Sequence, residues 1–101
     1  MEQNTVRLSG CVRELKAPRT SPAGVVHREL LLEHRSLQTL AGLEREVRVL
    51  VTVKVTGRVL AAAVAALEPG NRVLVTGLLG QASHRSPQQL LIHAQTIERH
   101  E

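Results

Sequence analysis

The chain has 101 residues, 43% of them hydrophobic and 22% charged, which suits one domain with one modest core and excludes a disordered segment. Its formal net charge of +4 comes from 13 Lys plus Arg against 9 Asp plus Glu, and nine of the cations lie at or before Gly57. That balance allows a polyanion partner without demanding one.

Aromatic residues are absent, so Leu, Val, Ile and Ala must fill the core and no ring exists for a base to stack on. Cys11 is the only cysteine, which excludes an internal disulfide. No apolar run is long enough to span a bilayer, and the start M-E-Q-N-T-V-R lacks the charged and apolar regions of a secretion signal. A reducing cytoplasm, away from membrane, is the expected home.

Thr5 to Lys16 opens with Val6 and Leu8 in alternation and predicts a strand, in which Ser9-Gly10 marks a bulge or sharp bend. Cys11 reads as a small core or edge residue. Ala17 to Gly24, with two prolines and a glycine, is a turn carrying Arg19. Val25 to Arg35 predicts a second strand. Leu30 and Leu32 share parity with Arg28 and His34, while Glu29, Leu31, Glu33 and Arg35 share the other, so neither face is cleanly apolar. Ser36 to Glu44 reads as a loop or short helical turn, with Leu37, Leu40 and Leu43 at helical spacing.

Glu46 to Gly57 is the most regular stretch. Val47, Val49, Val51, Val53 and Val55 fall on every second position, with Arg48, Leu50, Thr52, Lys54 and Thr56 between them. This spacing predicts a long central strand with valines inward and Arg48 and Lys54 outward. A β-branched strand of this length also offers an edge for a second copy, against which Glu46, Arg48 and Lys54 could stand guard.

Arg58 to Leu67 is alanine-rich and predicts a short helix on which Val59, Ala62, Ala63 and Ala66 can share a face and which plugs the barrel bottom, ending at Glu68-Pro69-Gly70. Arg72 to Leu79 returns to strand. Gly80 to Gln88 predicts a polar hairpin loop carrying His84 and Arg85, and Gln89 to Arg99 the closing strand. The expected fold is all-β: residues 1–101 as one five-stranded OB-fold barrel, with one short helix between strands 3 and 4.

S-P-A-G at Ser21 to Gly24, L-E-H-R-S at Leu32 to Ser36 and Q-T-L-A-G-L at Gln38 to Leu43 carry a resemblance, as do L-S-G at Leu8 to Gly10, V-T-G at Val75 to Gly77 and I-H-A-Q-T-I-E at Ile92 to Glu98. Taken in order, they make the chain similar to the primosomal replication protein N (PriB) family, whose barrel is related to single-stranded DNA-binding proteins. The resemblance implies a homodimer that binds single-stranded DNA at stalled bacterial forks and contacts the PriA helicase and the DnaT loader during replication restart, in the cytoplasm at the nucleoid. It implies single-stranded DNA contacts at Arg19, Arg35, Leu43, Arg48, His84 and Arg85. Leu43 and Arg48 stand where better-known members carry rings, and the Ser83 to Gln89 loop offers only His84 and Arg85 where they carry several lysines. Binding here is therefore expected to run through charge.

Arg13, Lys16, Arg19, Arg35, Arg48 and Lys54 could line one groove that draws phosphates by counterion release. The plainer reading is a solvated face balanced by Glu29, Glu33, Glu44 and Glu46. His34 beside Glu33 cannot converge on one ion from opposite strand faces, and His27, His84, His93 and His100 lack ligand spacing, so no metal is expected. No nucleophile triad, phosphate loop or acid pair points to an enzyme or a cofactor. A second reading is an interaction adaptor on the same fold, with weak or lost nucleic-acid binding.

Overall fold

The computed structural model describes residues 1–100. Its elements are β1 (Val6–Leu15), β2 (Arg19–Thr20), β3 (Val26–Leu40), β4 (Leu43–Thr56), α1 (Arg58–Ala65), β5 (Arg72–Ser83) and β6 (Ser86–His100). The five long strands close on themselves. β1 pairs antiparallel with both β3 and β5, β5 with β6, β3 with β4, and a short parallel pairing of β4 with β6 at Val53 and Lys54 completes the ring. This is the connectivity of an OB-fold barrel.

β1 serves both halves because it bends. Val6 to Cys11 pair with β5, Cys11 to Leu15 pair with β3, and the register shifts between Val12 and Glu14. Gly10 is required at the bend: a Cβ there would stand 2.3 Å from the Glu33 carbonyl oxygen. Just beyond, where β3 leaves β1, His34 Nδ1 donates to the Ser9 carbonyl at 2.7 Å and ties the two backbones together.

The core is aliphatic, as a chain without rings requires. Val12, Leu30, Leu32, Val53, Val55, Val64, Val73, Val75 and Ile92 are fully buried. Even positions of β3 and odd positions of β4 share the inward face, so Leu30 lies opposite Val53 and Leu32 opposite Val51. Val53 and Val55 are buried, whereas Val47 and Val49 lie on the same side but beyond the barrel rim and are only half-buried.

Four expectations need correction. Ser36 to Glu44 is neither a loop nor a helical turn. The β3–β4 ladder runs without interruption from His27–Thr56 to Leu40–Leu43, closed by a two-residue turn at Ala41-Gly42. Both turn residues have positive φ, 52° and 76°, which matches the right-handed twist of a tight hairpin. The leucines that suggested helical spacing alternate on a ribbon instead.

The predicted loop Gly80 to Gln88 is likewise strand. β5 continues to Ser83 and β6 begins at Ser86, leaving His84 and Arg85 as the turn. The two-residue strand β2, inside the predicted turn, pairs with β3 at His27 and Val26, so α1 lies between β4 and β5 rather than between strands 3 and 4.

The helix also buries a different face. Ala61, Val64 and Leu67 are buried and Leu60 packs against the core, while Val59 is 86% exposed. Val59 is only the second helical residue, and it follows Gly57 before the chain has turned onto the barrel; the stripe that meets the core starts one residue later.

Candidate nucleic-acid interface

The outward face of the β3–β4 hairpin is made by odd positions of β3 and even positions of β4. In register order the opposing pairs are His27–Thr56, Glu29–Lys54, Leu31–Thr52, Glu33–Leu50, Arg35–Arg48 and Leu37–Glu46. The two charged ends, at Lys54 and Arg48, lie six residues apart on one strand, about 20 Å at ~3.3 Å per residue.

At the upper end Arg35 and Arg48 face each other directly. Like charges at opposite sheet positions repel, and Glu46 compensates. Arg35 donates through Nε and Nη2 to Glu46 Oε1 at 3.2 and 3.0 Å, and Arg48 Nε donates to the same oxygen at 2.9 Å. The hydrogen bond from Arg48, followed by that from Arg35 and the charges of both, holds the Glu46 carboxyl below the usual carboxylate range. Next along the face, Arg13 of β1 pairs with Glu33.

At the lower end, Arg19 of β2 borders a cleft of about 390 Å³ together with Lys16, His27, Glu29 and Lys54. The Ala17 to Gly24 segment is folded onto the strand by the Arg19–His27 pairing and by Ser21, whose carbonyl accepts from Gly24 N–H and whose N–H donates to the Val25 carbonyl.

Between the ends the floor is mainly aliphatic, with Thr52 within it, Glu29 at its lower margin and Glu33 opposite Leu50. Leu31, Leu50 and Thr52 line a second cleft of about 380 Å³, whose other wall is Ala82, Gln89, Leu90 and Leu91 of the β5–β6 hairpin. Leu50 is 59% exposed and Leu90 53%. The surface is therefore a trough with cations at both ends and apolar side chains in the middle.

Of the residues singled out in the sequence, Arg35 and Arg48 are brought together, and Arg19 lies on β2 beside the lower end of the hairpin. Leu43 follows the Ala41-Gly42 turn opposite Leu40, on the other face of the ribbon from the two arginines. His84 and Arg85 form the turn of the hairpin whose arms wall the trough. Sequence reasoning passed over Leu31, Leu50 and Leu90, and it took Glu46 only as a balancing or edge-guarding charge. Leu31 and Leu50 carried a signal, because each shares the parity of a cation, Arg35 and Arg48 respectively. Leu90 carried none, since its place at the trough depends on how far the β5–β6 hairpin extends.

Among the described residues no group of three or more His, Cys, Asp or Glu is placed to hold a metal ion, and no helix is long and apolar enough to cross a membrane.

A family model described as another single-strand binding protein family matches residues 4–96. The chain is 34% identical over 99 residues to the replication restart protein PriB of Photorhabdus laumondii, covering 97% of this chain and 94% of that one. It is 33% identical over 98 residues to PriB of Haemophilus influenzae, covering 94% and 89%. In fold it is similar to PriB of Ralstonia solanacearum, with a TM-score of 0.85 at 24% identity over 99% of this chain and 100% of that one. It is also similar to a deletion mutant of the single-stranded DNA binding protein from Thermus aquaticus, with a TM-score of 0.79 at 27% identity over 98% of this chain and 51% of that one.

Proposed function

The chain belongs to the single-strand binding protein family, among the replication restart PriB proteins, and we propose that it binds single-stranded DNA along the outward face of its β3–β4 hairpin. The observation that carries this reading is the trough itself: Arg35 and Arg48 at one end, Lys16, Arg19 and Lys54 at the other, and Leu31, Leu50 and Leu90 between. In OB-folds this hairpin face, with the loops flanking it, is where oligonucleotides lie. Phosphates meet the cations, and bases rest on aliphatic side chains in place of rings. Arg48 can also lay its guanidinium plane against a base. Arg85, beside His84 at the turn of the walling hairpin, adds charge beside the strand, whereas Leu43 at the ribbon tip faces the other side and stands outside this path.

In this reading the protein is a non-catalytic accessory factor of replication restart that acts as a homodimer and bridges single-stranded DNA to the PriA helicase and DnaT, in the bacterial cytoplasm at stalled forks. β4 supports the dimer. Its backbone pairs with β6 only at Val53 and Lys54, which leaves most of its second edge open to another copy.

The second reading, an adaptor with lost nucleic-acid binding, is favoured by one observation: Glu46 already engages both arginines of the upper end and offsets one of their two charges. Titration of a fluorescein-labelled dT oligomer separates the two. The DNA-binding reading expects saturable binding that Arg35→Ala with Arg48→Ala weakens. Absence of binding at micromolar protein and low salt would leave the adaptor.

A further inference from the structure

The two ends of the trough differ in charge state, and the difference concerns the single-stranded DNA reading proposed above. At the lower end Lys16, Arg19 and Lys54 share their cleft with one carboxylate, Glu29, and among the described residues none of these three cations forms an ion pair within 4.0 Å. At the upper end three guanidinium N–H groups converge on one carboxylate oxygen, Glu46 Oε1. Carboxylate and phosphate are bound by the same guanidinium donors in the same geometry. Glu46 lies on the same strand and face as Arg48, two residues away, so a regular strand rather than a mobile loop holds it there. Its side chain is 45% exposed and can turn out to solvent.

We propose that Glu46 is a specificity-determining residue of the interface: its carboxylate occupies the Arg35–Arg48 position that a DNA phosphate takes, and a ligand must displace it. A strand already anchored at the open Lys16–Arg19–Lys54 cleft presents its next phosphates to this position at high effective concentration, whereas an isolated anion does not. Glu46 thereby makes the face favour a chain of phosphates over a single one.

The test is anisotropy of a fluorescein-labelled dT oligomer, titrated with wild type, Glu46→Gln, Glu44→Gln, Arg48→Ala and Arg48→Ala with Glu46→Gln, at several salt concentrations. Glu44 sits two residues nearer the hairpin tip, on the same face and opposite Thr39, and controls for bulk charge. Glu46→Gln is expected to bind roughly three- to tenfold tighter, the scale of an exposed charge-assisted pair removed from competition. Its log–log salt slope is expected to steepen by about 0.7 for each phosphate newly held. The inhibition constant of inorganic phosphate, obtained by competition and corrected for the oligomer's own tighter binding, should fall in Glu46→Gln by at least as large a factor as the oligomer's dissociation constant does. Glu44→Gln should change affinity less than about twofold, and the Arg48→Ala background should remove most of the gain.

Glu46→Gln binding no tighter than wild type, or weaker because the carboxylate orients the arginines, would overturn the proposal. So would an equal gain from Glu44→Gln. If Arg35→Ala with Arg48→Ala loses affinity while Glu46→Gln gains none, this inference fails and the interface stands. If that double variant binds as wild type does, the interface itself is elsewhere.

Discussion

Arg35 and Arg48 stand directly opposite each other across the β3–β4 ladder, and both donate to the same oxygen of Glu46. Two guanidiniums at facing sheet positions need an anion between them. The hydrogen bond from Arg48, and then that from Arg35, lowers the Glu46 pKa in the folded state. In the unfolded chain it returns to the ordinary glutamate value of about 4.3. A depressed folded value means that the stabilisation is present above the unfolded pKa and is lost as pH falls through the folded one. Urea midpoints of wild type and Glu46→Gln should therefore differ by a constant amount from pH 8 to about pH 5 and converge in the acid range below about pH 4. A difference that stays constant down to pH 2 would place the stabilisation elsewhere.

The helix makes a sharper stability test. Val64 is fully buried on the inner face of α1, and Val59 projects from the start of the same helix into solvent. Val64→Ala should cost about 2–3 kcal/mol of unfolding free energy, the transfer contribution of the lost methyls plus the cavity they leave. Val59→Ala should stay within about 0.5 kcal/mol of wild type. Chemical denaturation of the two variants reads this directly. Comparable losses would mean that the helix sits on the barrel by its other face.

That pair also shows where sequence reading stopped. Alternating valines from Val47 to Val55 defined both faces of β4, because a strand's period of two leaves no freedom in which side each residue takes. The short helix was equally legible, since an alanine run without Gly or Pro has one good conformation. Its rotation was not, because small apolar residues ring it on nearly all sides and only the barrel decides which stripe is covered. The hairpin ends were misread for a related reason. Ser36 to Glu44 and Gly80 to Gln88 are polar enough for loops, and backbone pairing with a partner strand, which no local pattern reports, keeps them extended. Within the candidate site, Arg48 and Lys54 were legible as outward cations and Arg35 as a candidate groove cation. The bond that Arg35 and Arg48 share to Glu46 was not, because it depends on the register between two strands.

Ala41 in the β3–β4 turn has a φ of 52°, a left-handed conformation that costs an alanine about 1–2 kcal/mol. Ala41→Gly, or Ala41→Asn, should raise stability by about 0.5–1 kcal/mol, with no change in the ribbon that the turn closes. Thermal unfolding monitored by circular dichroism checks this. A loss of stability would argue for a different turn geometry.

The aliphatic floor predicts a gain by substitution. Leu50 is exposed beside Leu31 and across from Leu90, at the middle of the trough. Under the proposed function, Leu50→Trp supplies the ring that the chain lacks. Stacking worth about 1–3 kcal/mol per base would tighten dT binding from about fivefold to over a hundredfold. The new tryptophan would also be quenched on binding, which gives an independent signal. Unchanged affinity with no quenching would mean that bases do not lie over Leu50.

The most direct measurement is the salt dependence of the affinity for a labelled dT oligomer, in wild type and in Lys54→Ala. Binding through phosphates at both ends of the trough predicts a log–log slope of about −2 or steeper for wild type, as expected for three or more phosphate contacts, and one shallower by about 0.7 in the variant. A tight complex whose affinity does not change with salt would contradict it.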